Sequence, residues 1–561
     1  MSGGRRMSQA LRAPRRVAWL GVVVGAAMVI EVVAATPASA HATLAWSSPA
    51  DGAVLPALPP ALTLRFDEPV RPVAADIQVV DPAGHGVTGV IAADGAQVRI
   101  RLRPDGAQGT YALTWRVISA DSHPVGGAIT FSVGHPSTPA SVRPARTDTV
   151  VAVLFTGARF VGFAGFAVLF GALAFCCYGM RGAVAIRGVR QLITFGWAAL
   201  AAGTLGALVL EGPYAAGTGA EAMARPDLIH QTLATTYGTA VTARLLMLGL
   251  LPFLIAGCRT RLEGDSRTGR VVFGAAVAMA AVAIAVTWPF GGHAAAGAQP
   301  LTAVAADTAH LCAMALWVGG LAAVTVTTRA RRTDPRVGTG VRRFSTVAAG
   351  SVALLAGTGL YQGWLRVQTP QALLQTAYGV TLVLKTALVC AVLSVAFFSR
   401  RTLRTRLGGP VPDRLVRLVT IETAGVVAVL VVTAVLVAME PAGKALAAKP
   451  VTLITRYDTG GAGGTGTLSL RLPSRVRGLT TATVVVRDAA GHPRGVAALG
   501  VAWSLPRRDI GPITAKVTPA GVGRYVAVTA PLTVPGRWTV AVTVRTGDID
   551  ETTVTLTQAI R

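Results

Sequence analysis

The stretch VVAVLFTGARFVGFAGFAVLFGALAFCC, at residues 150–177, is the first of eight apolar segments that decide the fold of this chain. The segments are each about 18–25 residues long and lie between Val150 and Ala438, and about 20 apolar residues in an α-helix cross the hydrocarbon core of a bilayer. Of the 561 residues, 52% are hydrophobic and 14% are charged, which excludes an ordinary soluble multidomain protein. The sequence therefore predicts an eight-helix transmembrane domain at residues 150–440.

The net charge of +26 is distributed unevenly along the membrane region. Arginines are concentrated in the predicted loops after the first, third, fifth and seventh spans, whereas the alternate loops hold little more than Arg225 and Arg366. The arginines of the basic loops are Arg181, Arg187, Arg190, Arg259, Arg261, Arg267, Arg270, Arg329, Arg331, Arg332, Arg336, Arg342, Arg343, Arg400, Arg401, Arg404, Arg406, Arg414 and Arg417. Cytoplasmic loops carry such an excess of positive charge. We therefore predict a multi-pass plasma-membrane protein with both terminal regions on the extracytoplasmic side, and a lipid bilayer rather than nucleic acid as its partner.

The N-terminal segment, residues 1–40, has the pattern of a secretory signal peptide. Several arginines lie within residues 1–16, an apolar run extends from Val17 to about Ile30, and Ala38 and Ala40 are the small residues that a signal peptidase accepts. Cleavage after Ala40 makes His41 the N-terminus of the mature protein. The α-amine and the imidazole of His41 then form an N,N chelate suited to Cu(II), which prefers tetragonal nitrogen and oxygen ligands.

Two regions outside the membrane segments predict all-β domains. Residues 41–135 and residues 450–561 both contain short runs rich in β-forming residues, separated by turns with Pro, Gly or Asp. We predict an outer β-sandwich at 41–135, a Pro/Ser/Thr-rich linker at 136–149, and a C-terminal all-β sandwich at 450–561.

A short motif in the first β domain contains two candidate metal ligands. Asp121 and His123 are two residues apart, so on an extended segment their side chains point to the same face. Together with the amine and the ring of His41, they supply three nitrogens and one oxygen, a set that suits tetragonal Cu(II).

Three stretches of this domain closely resemble the CopC family of copper-binding proteins: HATLAWSSPADG at 41–52, LRFDEP at 64–69 and ADSHPVG at 120–126. The resemblance implies a cupredoxin-like or immunoglobulin-like sandwich in which His41, Asp121 and His123 bind Cu(II), with Glu68 as a further ligand. Residues 41–135 contain no methionine, so the Met-rich loop that holds Cu(I) in some CopC proteins is missing from this sequence.

The fifth predicted span contains the second set of candidate ligands. His310 and Met314 are spaced i, i+4 and share one helix face, and an imidazole with a thioether suits copper, especially Cu(I). An ionisable group within a span usually faces a functional interior. The alternative is a structural role, in which His310 bonds to Asp307 or Glu422 and ties helices together.

The membrane region as a whole resembles the CopD family over roughly residues 150–440. The resemblance rests on a Gly-His-Ala element at His293, followed by a span that bears His310 and the Trp-x-Gly-Gly sequence at 317–320. It implies that copper, as Cu(I) or Cu(II), crosses the membrane along a path that contains His293, His310 and Met314.

Paired motifs predict that the membrane region is an internal 4+4 repeat with both halves in the same orientation. The matched pairs are Tyr237-Gly238 with Tyr378-Gly379, Arg244 with Lys385, Glu211-Gly212 with Gln362-Gly363, and Arg159 with His310. The carboxylates Glu211 and Glu422 are candidates for proton coupling, and interhelical ion pairs such as Glu422 with Lys385 are the structural alternative.

The predicted function is capture of Cu(II) on the outer face and passage of copper across the membrane. Import is favoured because a tethered outer domain raises the local metal concentration at an outer mouth, and because no cytoplasmic metal-capture motif such as CxxC is present. No nucleotide-binding sequence is evident, so we predict that the driving force is ionic or the metal gradient itself. Copper resistance by efflux, or sequestration without transport, is the main alternative. A haem-binding electron-transfer protein and a His-brace copper oxidase are further alternatives, but we predict no enzyme.

The C-terminal domain resembles the immunoglobulin-like domains appended to some CopD proteins, and a protein partner on the outer face is its predicted ligand.

Overall fold

The structure is a computed structural model. In it the chain forms two compact units, one within Thr147–Ala442 and one formed by His41–Arg146 with Gly443–Arg561. It describes residues 42, 44–66, 68–103, 106–119, 124–138, 140, 148–180, 182–263, 267–291, 300–331, 334–404, 413–437, 439, 441–447, 449–461, 463–472, 481–528, 532, 534 and 536–560. The predicted signal peptide lies outside the described residues.

The N-terminal β domain is a sandwich of two sheets, as the sequence predicts. Its strands are β1 (Leu44–Ser48), β2 (Ala53–Leu55), β3 (Ala61–Phe66), β4 (Val70–Pro72), β5 (Gln78–Val80), β6 (Thr88–Asp94), β7 (Gln97–Leu102), β8 (Gly109–Ser119) and β9 (Pro124–Val133). One sheet has the order β1-β3-β7-β6, the other has the order β2-β9-β8-β4, and β5 pairs with β8. Alternate residues of β3 are buried, because successive side chains of a strand point to opposite faces. Phe66 of one sheet packs edge-on against Trp115 of the other, with ring centroids 5.2 Å apart.

The C-terminal domain is also all-β, with eight antiparallel strands in a barrel-like arrangement. They are β10 (Val451–Asp458), β11 (Thr465–Leu472), β12 (Thr481–Asp488), β13 (Ala498–Leu505), β14 (Ile510–Gly521), β15 (Arg524–Val528), β16 (Gly536–Arg545) and β17 (Glu551–Ile560), in the order β10-β11-β12-β15-β14-β13-β16-β17. The first part of the long strand β14 pairs with β13 and its last part with β15. Because β10 also contacts β17, the sheet curves back on itself around a core that includes Trp503 and Trp538.

The described residues of the membrane region are mainly helical. The helices are α1 (Thr149–Tyr178), α2 (Arg187–Ala216), α3 (Pro226–Leu233), α4 (Thr236–Glu263), α5 (Arg267–Phe290), α6 (Pro300–Ala330), α7 (Pro335–Val367), α8 (Pro370–Gln375), α9 (Ala377–Arg404), α10 (Asp413–Val437) and α11 (Ala442–Ala447). Eight of them, all except α3, α8 and α11, are long and apolar enough to cross a membrane. The prediction of eight helices that are able to cross a membrane is therefore confirmed among the described residues.

Helices α1 and α6 cross at glycines and form the centre of the bundle. A Cβ atom added to Gly319 of α6 would collide with the carbonyl oxygen of Ala167 in α1 and would lie 2.8 Å from the Cα atom of Gly171. A Cβ atom on Gly171 would in turn collide with Ala315 and Gly319. Small residues at helix crossings in membranes allow the backbones to approach closely, so these glycines set the spacing of the two helices.

The two halves of the membrane region repeat the same packing. Helix α1 packs against α2 as α6 packs against α7, and both α5 and α10 contact the central pair α1 and α6. In each half, a short helix (α3 or α8) precedes the third span. This arrangement agrees with the repeat predicted from the paired motifs.

The Tyr-Gly motifs mark the same local structure in both halves. The Thr235 hydroxyl accepts a hydrogen bond from the amide of Gly238 at 3.0 Å, and the Thr376 hydroxyl accepts one from the amide of Gly379 at 3.1 Å. A Cβ atom on either glycine would collide with carbonyl groups at the end of the preceding short helix. The glycine is therefore required because the third span of each half begins in contact with the short helix.

Candidate metal centre

Of the ligands predicted in the N-terminal β domain, Glu68 is described by the structure. It is 3% exposed and follows β3. A buried carboxylate is costly unless it is paired or binds a cation, so its burial fits a position inside a polar site. His41, Asp121 and His123 lie outside the described residues.

The described strands next to these four positions meet at one corner of the sandwich. Leu44 at the start of β1 pairs with Phe66 at the end of β3, and Val70 at the start of β4 pairs with Ser119 at the end of β8. In the sequence, His41 precedes Leu44 by three residues, Glu68 lies between Phe66 and Val70, and residues 120–123 connect Ser119 to Pro124. Three segments that are distant in sequence thus have their described ends at the same corner.

Asp51, in the Ser-Pro-Ala-Asp-Gly part of the first motif, has a structural role. Its carboxylate accepts hydrogen bonds from the backbone amide of Thr130 at 2.8 Å and from the Thr130 hydroxyl at 3.3 Å. These bonds connect the turn before β2 to β9 across 79 residues of sequence. Burial raises the pKa of this carboxyl above its ordinary value of 3.8, and the hydrogen bonds from Thr130 and Gly52 oppose that rise.

In the membrane region, His310 of α6 is held by a residue that the sequence analysis did not identify. Its Nδ1 atom lies 2.8 Å from the Oγ1 atom of Thr358 in α7. The Thr358 hydroxyl also donates to the carbonyl oxygen of Leu354 one turn earlier, at 2.7 Å. No motif singled out Thr358, because a threonine between two glycines in an apolar helix has no distinctive pattern.

Asp307 and Glu422, the two partners considered for His310, have other partners in the structure. Asp307 forms an ion pair with Arg366 of α7, with an oxygen-to-nitrogen distance of 3.3 Å. Glu422 of α10 is 5% exposed and accepts a hydrogen bond from the indole of Trp317 in α6. The Glu422–Lys385 ion pair is absent from the ion pairs among the described residues.

The charges around His310 are mainly positive. Both Lys385 and Arg366 act electrostatically on its imidazole, and Arg366 is already paired with Asp307. Lys385 therefore contributes positive charge that this ion pair does not cancel. A monovalent cation is repelled half as strongly as a divalent one by such a charge.

Met314, one turn after His310, is 9% exposed and packs in an apolar cluster that includes Phe166 and Phe170 of α1. The i, i+4 spacing places it on the same helix face as His310. His293 lies outside the described residues. Within the part of the chain that the structure describes, no group of three or more His, Cys, Asp and Glu side chains is arranged to hold a metal ion.

The first half of the repeat has a different polar centre. The Nε atom of Arg244, at the position matched to Lys385, donates to the hydroxyl of Thr287 at 2.8 Å. Its guanidinium group lies 3.8 Å from the centroid of the Trp288 ring, close enough for a strong cation–π contact. Arg244 is 4% exposed, so both halves bury a basic residue in the third span, but only the second half places a histidine beside it among the described residues.

Comparisons with known proteins find a matching family profile for the N-terminal β domain and for both halves of the membrane region. The profile of the CopC domain matches residues 44–134, that of the copper resistance protein D-like N-terminal domain matches 148–301, and that of copper resistance protein D matches 339–436.

Among curated proteins, the copper transport protein CutJ of Bacillus subtilis (strain 168) is 27% identical over 362 residues, which cover 62% of this chain and 65% of CutJ. Copper resistance protein C of Xanthomonas campestris pv. juglandis is 34% identical over 115 residues, which cover 19% of this chain and 90% of that protein.

Among solved structures, CopC from Methylosinus trichosporium OB3b is 28% identical, with a TM-score of 0.15, and the match covers 18% of this chain and 99% of CopC. The methionine-rich copper resistance protein PcoC from Escherichia coli is also 28% identical, with a TM-score of 0.15 and coverage of 17% and 99%. On the family profiles and the curated relatives, the chain belongs to the CopC family of copper resistance proteins, and its membrane region matches the profiles of copper resistance protein D and of its D-like N-terminal domain.

Proposed function

We propose that this protein captures Cu(II) on the outer face of the plasma membrane and passes copper across the membrane, with import as the direction. The observation that carries the proposal is the fusion of a CopC domain to a CopD membrane region in one chain. A tether of this kind keeps the captured ion at high local concentration near the membrane region.

The outer site consists of His41, Asp121 and His123, with Glu68 as a further ligand. Its support is the corner at which β1, the β3–β4 connection and the β8–β9 connection have their described ends, together with the burial of Glu68. Nitrogen and carboxylate ligands of this composition suit Cu(II) in tetragonal geometry.

The membrane path includes His293, His310 and Met314. His310 is held by α7, and Met314 lies one turn further along the same face of α6. The positive charge of Lys385 near His310 favours the monovalent ion, and imidazole and thioether ligands favour it as well. We therefore propose that the membrane path carries copper as Cu(I) or Cu(II), with the local charge and the ligand set favouring Cu(I).

Both terminal domains lie on the extracytoplasmic side in this proposal. The support is the concentration of arginine in alternate loops, which marks those loops as cytoplasmic. An outer capture domain then supplies copper to an outer mouth, which is the reason for preferring import.

Copper resistance by efflux, or sequestration on the outer face, is the second candidate function. The name of the Xanthomonas relative, copper resistance protein C, favours it. Efflux and import differ in how cell copper changes on deletion, so one experiment separates them.

We further propose that the C-terminal domain binds an acidic protein partner on the outer face. The exposed surface of β10, β11, β12, β14 and β15 carries Arg456, Arg471, Arg487, Lys516 and Arg524, with Asp458 and Asp488 at its edge. Replacing Arg471 and Arg487 by Glu is expected to abolish cross-linking to such a partner in cells. Unchanged cross-linking by the double variant contradicts this assignment.

The experiment that tests the main proposal measures whole-cell copper at limiting and at excess copper. The strains carry the wild-type protein, a deletion, His41→Ala or His310→Ala. Import predicts less cell copper in the deletion at limiting supply, with both variants resembling the deletion. More copper in the deletion at excess supply indicates efflux, and no change at either concentration indicates sequestration.

A further inference from the structure

The hydrogen bonds around Thr358 favour one of the two neutral tautomers of His310. The Thr358 hydroxyl has a single hydrogen, and its acceptors are the carbonyl oxygens of Leu354 at 2.7 Å and of Leu355 at 3.3 Å. Bonds of this kind are usual between a threonine and the carbonyls one turn earlier in its helix. The hydroxyl oxygen can therefore only accept a hydrogen bond from the imidazole.

The atom 2.8 Å from this oxygen is Nδ1 of His310. Because the oxygen accepts, Nδ1 must carry a hydrogen, and in a neutral imidazole the other nitrogen then has a free lone pair. We infer that Thr358 is a positioning residue that holds His310 as the Nδ1–H tautomer and leaves Nε2 as the atom that takes copper. The inference rests on the proposed function for the identity of the ion, while the tautomer is inferred from the hydrogen bonds of Thr358.

The position of α7 supports this role for Thr358. The residue next to it is Gly359, and a Cβ atom on Gly359 would lie 3.7 Å from Cε1 of His310. The backbone of α7 therefore runs alongside the ring at Gly359, and the hydrogen bond to Thr358 fixes the ring against this helix. Histidines that bind metals usually donate their second nitrogen to an oxygen acceptor in this way, which fixes the ring and raises its basicity.

The test compares Thr358→Val, which keeps the shape of the side chain and removes the hydroxyl, with Thr358→Ser, which keeps the hydroxyl. Full-length protein labelled with ¹⁵N-histidine is measured by NMR in lipid nanodiscs, and the His310 signals are assigned from their loss in His310→Gln. We expect a protonated Nδ1 and an unprotonated Nε2 in the wild type and in Thr358→Ser. In Thr358→Val we expect a mixture of tautomers. A protonated Nε2 in the neutral wild-type ring, or an unchanged spectrum in Thr358→Val, overturns the inference.

Copper uptake by the same variants gives a second, independent readout. Loss of a hydrogen bond that orients a ligand lowers metal affinity about 10- to 100-fold, so the copper concentration at half-maximal uptake should rise by about that factor in Thr358→Val and stay near the wild-type value in Thr358→Ser. Normal uptake by Thr358→Val, when His310→Gln has none, overturns the inference and leaves the proposed function standing. Normal uptake by His310→Gln instead removes the membrane part of the proposed function, while the NMR result still decides the tautomer.

Discussion

The glycine crossing of α1 and α6 leads to a prediction about stability that can be checked with a matched control. In Gly319→Ala, the new methyl group would collide with the carbonyl oxygen of Ala167 and lie 2.8 Å from the Cα atom of Gly171. Both obstacles are backbone atoms, which cannot rotate away as a flexible side chain does. The helices must therefore move apart at the centre of the bundle.

The size of the effect follows from two opposing contributions. Overpacking a well-packed interior costs typically about 1–3 kcal/mol, and the backbone contacts at this site point to the upper part of that range. Alanine in place of glycine in a helix returns up to about 1 kcal/mol. We therefore expect Gly319→Ala to lose about 1–2 kcal/mol of stability, the difference between these two contributions.

The matched control is Gly357→Ala in α7, where an added Cβ atom meets nothing within 4 Å. This variant has the helix-propensity gain without the collision, so its stability should stay the same or rise. Thermal unfolding of both variants in the same detergent at one scan rate measures the difference. A loss of 1 kcal/mol typically lowers the midpoint temperature of unfolding by about 2–4 °C in a region of this size. We therefore expect the midpoint of Gly319→Ala to fall by roughly 2–8 °C. Equal midpoints for Gly319→Ala and the wild type would refute the close crossing of α1 and α6.

Four further outcomes follow from the structure. Gly238→Ala and Gly379→Ala should both lower the thermal midpoint by similar amounts, because each collides with the short helix before its span; a neutral effect at one of them would contradict the repeat. Met314→Leu should change the stability of the protein by less than about 1.5 kcal/mol but should weaken copper uptake. Copper uptake equal to that of the wild type would remove Met314 from the path. Glu422→Gln should be expressed and folded yet fail to transport if this buried carboxyl couples protons, so wild-type transport counts against that role. Burial raises the pKa of Asp51, so the folded domain binds a proton at this carboxyl more tightly than the unfolded chain does. The free-energy cost of burying the charged carboxylate therefore disappears as the pH falls towards 3.8. Relative to Asp51→Asn, the wild-type domain should therefore become more stable as the pH is lowered from 7 to 4, measured by hydrogen exchange of β9. A loss of stability on lowering the pH, relative to the same variant, would contradict the burial of the carboxyl.

Much of the architecture could be predicted because it depends on local properties of the chain. The number of spans follows from the length of apolar runs compared with the thickness of a bilayer, and the strands follow from short β-forming runs between turns. His41, Asp121 and His123 could be proposed as ligands because their residue types suit copper, and Glu68 because the stretch around it resembles the CopC family. Their described neighbours meet at one corner through the pairings Leu44–Phe66 and Val70–Ser119.

The partners of the buried polar groups could not be predicted in this way. Sequence reasoning offered Asp307 or Glu422 as the partner of His310, whereas the structure brings in Thr358, 48 residues away, and pairs Asp307 with Arg366. Which side chains meet across a helix interface depends on how each helix is rotated and how closely it is packed, and no local pattern in the sequence specifies either.

The sequence by itself thus determined the eight spans, the two β domains and the residue types that suit copper, because composition and periodicity act over one segment at a time. The tertiary structure alone decided that α6 lies against α1 at Gly171 and Gly319, and that α7 presents a hydroxyl to the His310 ring. These contacts join segments far apart in the chain, and they arise only when the helices have packed at one crossing and in one rotation.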